Sequence, residues 1–143
     1  MMKDVVISIN STFAYEAGEE QQMKFTTDGH YFYEDDVGCL SYEETAVTGL
    51  EGTRTSLFVM PDQVVVDREG TVTSRMVFKE GLKSAFQYVT PFGNATMGID
   101  TRRITRNMGQ NGGSVQIDYV VDMEHVVASR NTFEITVTEI SPQ

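Results

Sequence analysis

Tryptophan is absent from this 143-residue chain, cysteine occurs once, histidine twice and proline three times. Each scarcity closes a class of explanation. A lone cysteine, Cys39, cannot close an internal disulfide, which suits a reducing compartment. His30, His125 and Cys39 lie scattered, without the spacing of a metal site, so no metal and no cofactor are expected. Long apolar runs are missing too. Nothing approaches the ~20 apolar residues of a membrane span, and the apolar run within Met1–Asn10 is too short and too soon interrupted for a secretory leader. Positive charge is scarce: 11 Lys and Arg against 21 Asp and Glu leave a net charge of -10. Such a surface repels polyanions, so neither nucleic acid nor anionic membrane is an expected partner. Cytoplasm follows as the expected location.

What the chain has in abundance is two-residue alternation. Val5, Ile7, Ile9, Phe13 and Tyr15 share one phase of a long first segment, with Ser8, Asn10 and Thr12 on the other. A turn at Ala17-Gly18-Glu19-Glu20 leads to Met23 and Phe25, and Asp28-Gly29 reads as a tight hairpin turn or bulge. Glu34-Asp35-Asp36 reads as a solvated turn. Leu40, Tyr42 and Glu44 share a phase, as do Thr53, Thr55, Leu57 and Val59 after a turn at Gly49 to Gly52. Val72, Ser74, Met76 and Phe78 alternate, then Phe86 to Thr90, then Ala95, Met97 and Ile99. Glu80 to Phe86 is the one stretch with a helical option, too short to matter. Asn111-Gly112-Gly113 is the strongest hairpin signal and opens into Val115, Ile117, Tyr119 and Val121. Phe133, Ile135 and Val137 end the pattern. Some eight to ten strands joined by short turns predict an all-β protein, one closed antiparallel up-and-down barrel spanning residues 1–143. A two-sheet sandwich is the alternative.

Several short motifs carry a likeness to a known family: Tyr42-Glu43-Glu44-Thr45, Thr48-Gly49, Gly52-Thr53-Arg54-Thr55, Arg68-Glu69-Gly70, Thr90-Pro91-Phe92-Gly93 and Gly113. In this order, over essentially the full length, the chain resembles the YwiB-like family of bacterial proteins, a domain of unknown function with a calycin-like β-barrel. The resemblance implies a lipocalin-type topology and a cytoplasmic bacterial protein. It carries no reaction and no catalytic residues. Calycin relatives often bind small hydrophobic ligands, which is an analogy of fold alone.

The residues themselves offer few chemical candidates. Glu43 and Glu44 are adjacent and point to opposite faces of a strand, so they cannot work as an acid–base pair from one surface. Glu44 shares its phase with Leu40 and Tyr42 and can face inward, where Arg54, Arg68 or Arg75 would be its partner. Thr53 and Thr55 share a phase with Leu57 and Val59, a fitting lining for a ligand with one polar end. Tyr88 and Thr90 precede the Pro91-Phe92-Gly93 break, a barrel corner or mouth. Neither Gly49-Leu50-Glu51-Gly52-Thr53 nor Gly109-Gln110-Asn111-Gly112-Gly113 is followed by a helix or by Gly-Lys-Ser/Thr, so both are hairpin turns rather than phosphate loops. Cys39 has no neighbouring base.

Three functions compete. The first is non-catalytic binding of a small apolar or amphipathic ligand in the barrel lumen, around Tyr42, Glu44, Thr53, Thr55, Tyr88 and Thr90, with Met23, Met76 and Met97 adapting to its shape. Phe25, Phe78, Phe86, Tyr119 and Phe133 could instead fill that space. The second is a structural or interaction module, as a homodimer, through outward-phase Val6, Phe58, Val65, Val77, Val89 and Val120. The third, an enzyme, has least support.

Overall fold

The computed structural model describes residues 2–15, 19–123 and 126–140, and turns the alternation into ten antiparallel strands. These are β1 (Lys3–Tyr15), β2 (Glu20–Glu34), β3 (Val37–Glu43), β4 (Thr53–Val59) and β5 (Val64–Gly70), then β6 (Ser74–Phe78), β7 (Lys83–Thr90), β8 (Gly93–Gly109), β9 (Gly112–Met123) and β10 (Val126–Glu139). The single sheet runs β6-β5-β4-β3-β2-β1-β10-β9-β8-β7. First and last strands therefore lie side by side, registered from Val5 opposite Glu139 to Tyr15 opposite Ser129. No described helix is long and apolar enough to cross a membrane.

One pair of sequence neighbours breaks the meander. β6 and β7 form no ladder. Across this seam Thr73 and Val89 exchange two amide-to-carbonyl bonds of 2.9 Å as an isolated bridge, and Ser84 Oγ donates to the Val77 carbonyl at 3.2 Å. The barrel is thus nearly closed, with a thin place in its wall. The cause is the connection itself: the segment after Lys79 turns aside and spends its hydrogen bonds on β8. Gly81 donates to the Thr101 carbonyl at 3.0 Å, Thr101 donates to Leu82, and the Glu80 carboxylate accepts the Ile104 amide at 2.7 Å. No helix forms between Glu80 and Phe86, because β7 already starts at Lys83.

Two turn expectations need correction. Asp28-Gly29 is no hairpin turn; both residues lie inside the unbroken β2. At the β8–β9 hairpin the turn pair is Gln110 and Asn111, one residue earlier than Asn-Gly, with Gly109 opposite Gly112. Gly112 supplies the positive φ, +116°, that the backbone needs there. Asp35 and Asp36 make the β2–β3 turn with φ of 54° and 63°, the left-handed pair of a two-residue hairpin. Ala17 and Gly18 of the turn expected at 17–20 lie outside the described residues, as does His125.

Inward phases build one core. Val5, Ile7, Ile9, Tyr31, Leu40, Leu57, Val59, Val64, Val66, Phe78, Phe86, Ile99, Val115, Ile117, Ile135 and Val137 are buried in a single cluster, against which Phe25, Met97, Tyr119 and Phe133 pack. Removing each such aliphatic side chain from water contributes about 1.5–3 kcal/mol. These side chains pack as one continuous cluster inside the barrel. Tyr31 ties its two sides together: the ring is buried and its hydroxyl donates to the Gly109 carbonyl at 2.7 Å. Burial pushes the Tyr31 hydroxyl up to about 12, so it stays a donor over the whole neutral and mildly alkaline range. Tyr31→Phe should therefore cost about 1 kcal/mol, read as a lower urea midpoint with an unchanged slope.

Candidate functional site

Strand register assembles a polar row from residues far apart in sequence. Tyr42 of β3 lies opposite Thr55 of β4, Thr55 opposite Arg68 of β5, and Arg68 opposite Ser74 of β6. The Thr73–Val89 bridge then sets Ser74 across the seam from Tyr88 of β7. All these positions belong to the inward phase. Glu44, just past β3, joins them because its amide donates to the Thr53 carbonyl at 2.8 Å, which holds its side chain beneath the β3–β4 connection.

Inside the row the hydrogen bonding is incomplete. Thr55 Oγ1 donates to Glu44 Oε2 at 3.0 Å. Arg68 Nε stands 3.9 Å from the same oxygen, an ion pair too long for a hydrogen bond. The Glu44 side chain is only 2% exposed and that of Arg68 19%. Glu44 Oε1, Arg68 Nε and Ser74 Oγ are buried with no hydrogen-bond partner. An Arg68 Nη1 contact to Met76 Sδ at 3.7 Å is a weak substitute. Burial raises the Glu44 pKa above its ordinary value, while Arg68 and the nearby Thr55, Thr48 and Tyr42 hydroxyls draw it back. Burial likewise holds the Tyr42 hydroxyl well above the usual phenol range, with the Glu44 charge adding to it. Tyr119, stacked edge-on against Phe78 at 4.8 Å, is pushed up to about 12 by burial and eased by Arg68. With their pKa values raised, these phenols stay protonated at neutral pH and do not serve as bases.

Two members of the row, Arg68 and Ser74, border a surface groove at the thin place in the wall, although their unpartnered atoms are themselves buried. An open groove of about 490 Å³ follows the β6–β7 seam, lined by outward-phase Arg75, Gln87 and Val89 and by Arg68, Ser74 and Phe86 of the inward phase. Another, of about 540 Å³, opens where β2 parts from β3, around Asp4, His30, Glu43 and Arg54. Its groups are exposed and His30 Nδ1 already meets Asp4 Oδ1 at 3.2 Å. Of these two openings, the seam is the one bordered by residues with buried polar atoms lacking partners, Arg68 and Ser74.

The remaining candidates have other duties. Arg54 and Arg75 are not partners of Glu44: both face outward, Arg54 donating to Ser41 Oγ at 3.3 Å and Arg75 meeting Asp67 at 3.5 Å. Thr53 is fully buried and its hydroxyl accepts the Val72 amide at 3.2 Å, tying down the β5–β6 turn. Thr90 serves the β7–β8 turn, donating to the Gly93 carbonyl at 2.8 Å and accepting the Phe92 amide at 3.1 Å. Tyr88 packs against the core. Cys39 is a half-buried free thiol whose pKa burial raises, the opposite of an activated nucleophile. Among the described residues no three His, Cys, Asp or Glu side chains gather as metal ligands. Phe58, Val65 and Val77 adjoin on the outer face and continue through Cys39 to Phe32. Val6 and Val120 lie elsewhere on the sheet, and Val89 borders the seam. Ser74 and Tyr119 were missed as polar members. Ser74 carried a usable signal, its shared phase with Met76 and Phe78.

Comparison with known proteins agrees with this architecture. A family model described as "Domain of unknown function (DUF1934)" matches residues 7–135. The chain is 26% identical over 121 residues to the "Uncharacterized beta-barrel protein YwiB" of Bacillus subtilis (strain 168), covering 82% of this chain and 84% of that one. The crystal structure of the ywiB protein from Bacillus subtilis superposes with a TM-score of 0.87 at 21% identity, over 98% of this chain and 94% of that one, a likeness of fold.

Proposed function

The chain belongs to the DUF1934 family, and from that premise we propose that it is a non-catalytic binding protein of calycin-like design for a small, partly apolar molecule. The molecule reaches the Glu44–Arg68–Ser74 row through the β6–β7 seam. What supports this is the set of three buried polar atoms left without partners, Glu44 Oε1, Arg68 Nε and Ser74 Oγ, the last two on residues that border the seam groove. Unsatisfied buried groups are few in folded proteins, because each costs about 1–3 kcal/mol. A ligand that completes them recovers that loss. Met76, Phe86 and Tyr88 offer apolar surface for the rest of the molecule. The filled core limits it to small size. The free thiol of Cys39 suits a cytoplasmic site of action.

The test is enrichment. Protein incubated with a bacterial small-molecule extract, desalted and denatured, should release a species seen by mass spectrometry. The Glu44→Gln/Arg68→Met double variant should not release it. Identical spectra from both proteins would overturn the reading.

A second reading rests on the outer face. Phe32, Cys39, Phe58, Val65 and Val77 form an uncharged row across β2 to β6, and Val65 is only 2% exposed although it points outward. Both signs flank the row in Asp67 and Arg75 of the next outward row, so a second copy related by a two-fold axis can oppose unlike charges. Sedimentation showing only monomer at high concentration removes this homodimer.

A further inference from the structure

We infer that the molecule held by this row is electrically neutral and presents an N–H donor beside a C=O acceptor, as carboxamides and lactams do. The inference rests on the binding reading above and goes on to the chemistry of the ligand. Glu44 Oε1 is a free acceptor in a buried place, and Arg68 Nε a free donor on the strand next but one. Arg68 Nε lies 3.9 Å from the other oxygen of Glu44, too far for a hydrogen bond, so the ion pair leaves both Nε and Oε1 unsatisfied. A carboxamide carries its N–H donor and its C=O acceptor on one carbon and offers a partner to each group when the row opens to admit it. Its N–H serves the carboxylate while its C=O accepts from the guanidinium.

Charge narrows the class further. Glu44 and Arg68 already cancel. A carboxylate ligand would meet Arg68 but oppose Glu44; an ammonium would do the reverse. Either leaves net charge in a desolvated row, which is costly. An alcohol donates and accepts from one oxygen and must span both groups from a single point. Ser74 Oγ, free to rotate, supplies either polarity to the second edge of an amide.

The experiment uses two matched series on the full chain, acetamide, acetate and methylammonium, then benzamide, benzoate and benzylamine, followed through backbone-amide NMR signals. The amides should shift the signals of Thr55, Arg68 and Ser74 and bind about ten-fold more tightly than either ion of their series, the effect of one hydrogen bond to a charged group. Glu44→Gln/Arg68→Met should erase that preference. An ion binding more tightly at the same signals would overturn the amide class yet leave the binding reading standing. No shift from any of the six probes would mean that water alone completes the row, and would overturn the inference. The extract experiment above decides separately whether the protein binds anything.

Discussion

Arg68→Met lowers the stability of the barrel by about 3 kcal/mol at neutral pH and by much less in acid. The substitution keeps an unbranched apolar stem but leaves the Glu44 carboxylate, 2% exposed, with neutral hydroxyls alone, Thr55 the nearest at 3.0 Å, and no cation. Removing one member of a buried ion pair is expensive because the other charge stays desolvated. The pH dependence follows from the direction of the Glu44 shift. Its pKa in the folded state lies above the ordinary carboxyl value because burial outweighs Arg68. The folded protein therefore holds this proton more tightly than the unfolded chain. The resulting stability is full below the ordinary carboxyl pKa and is lost as pH rises through the folded value. Without Arg68 the folded value climbs higher still, so the gap between variant and wild type opens as pH rises from the acid range and levels off once pH passes the variant's folded value. Urea unfolding at a series of pH values reads this directly. Glu44→Gln should be mild, since Arg68 can lean toward the seam, and Glu44→Gln/Arg68→Met should recover most of the loss. If Arg68→Met were equally harmful at acid and neutral pH, packing rather than charge would be responsible.

That coupling was half legible in the sequence. The phase Leu40-Tyr42-Glu44 points the carboxylate inward, and Thr53-Thr55-Leu57-Val59 places the hydroxyls with it. Phase alone could not choose among Arg54, Arg68 and Arg75. The choice depends on which side of β5 faces the core, and Val64-Val65-Val66 is apolar on both sides. Only the Thr55–Arg68 register settles it. Strand number and the meander were readable because turn residues recur at short intervals. The seam was not. β6 and β7 part because Glu80, Gly81 and Leu82 bond to β8, a tertiary competition with no trace in local alternation. Asp28-Gly29 misled for a different reason: a glycine that makes room for a neighbour looks the same in sequence as one that turns the chain.

Gly29 makes that room at the head of the polar row, and Gly29→Val should cost about 3 kcal/mol and loosen the site as well. The position faces inward on β2, opposite Val5, in a backbone region that needs no glycine conformation. Space is what forbids a side chain. A Cβ there would lie 2.5 Å from Ile7 Cδ1, 2.5 Å from the Ser41 carbonyl oxygen and 3.4 Å from Tyr42 Cβ. Ile7 could shift by a rotamer; Ser41 could not, because its strand is pinned to β2 through His30 and to β4 through Ser56. Valine would therefore push β3 outward where β2 already leaves it, and Tyr42 would move with the strand. Two measurements separate the effects. The urea midpoint of Gly29→Ala should fall less than that of Gly29→Val, and adding Ile7→Val should restore little in either, since the carbonyl contact remains. NMR signals of Thr55 and Arg68, which follow Tyr42 along the row, should shift in Gly29→Ala, whereas those of Val115 and Ile135 across the barrel stay in place. Full recovery by Ile7→Val would show instead that the side chain, not the β3 backbone, sets the limit.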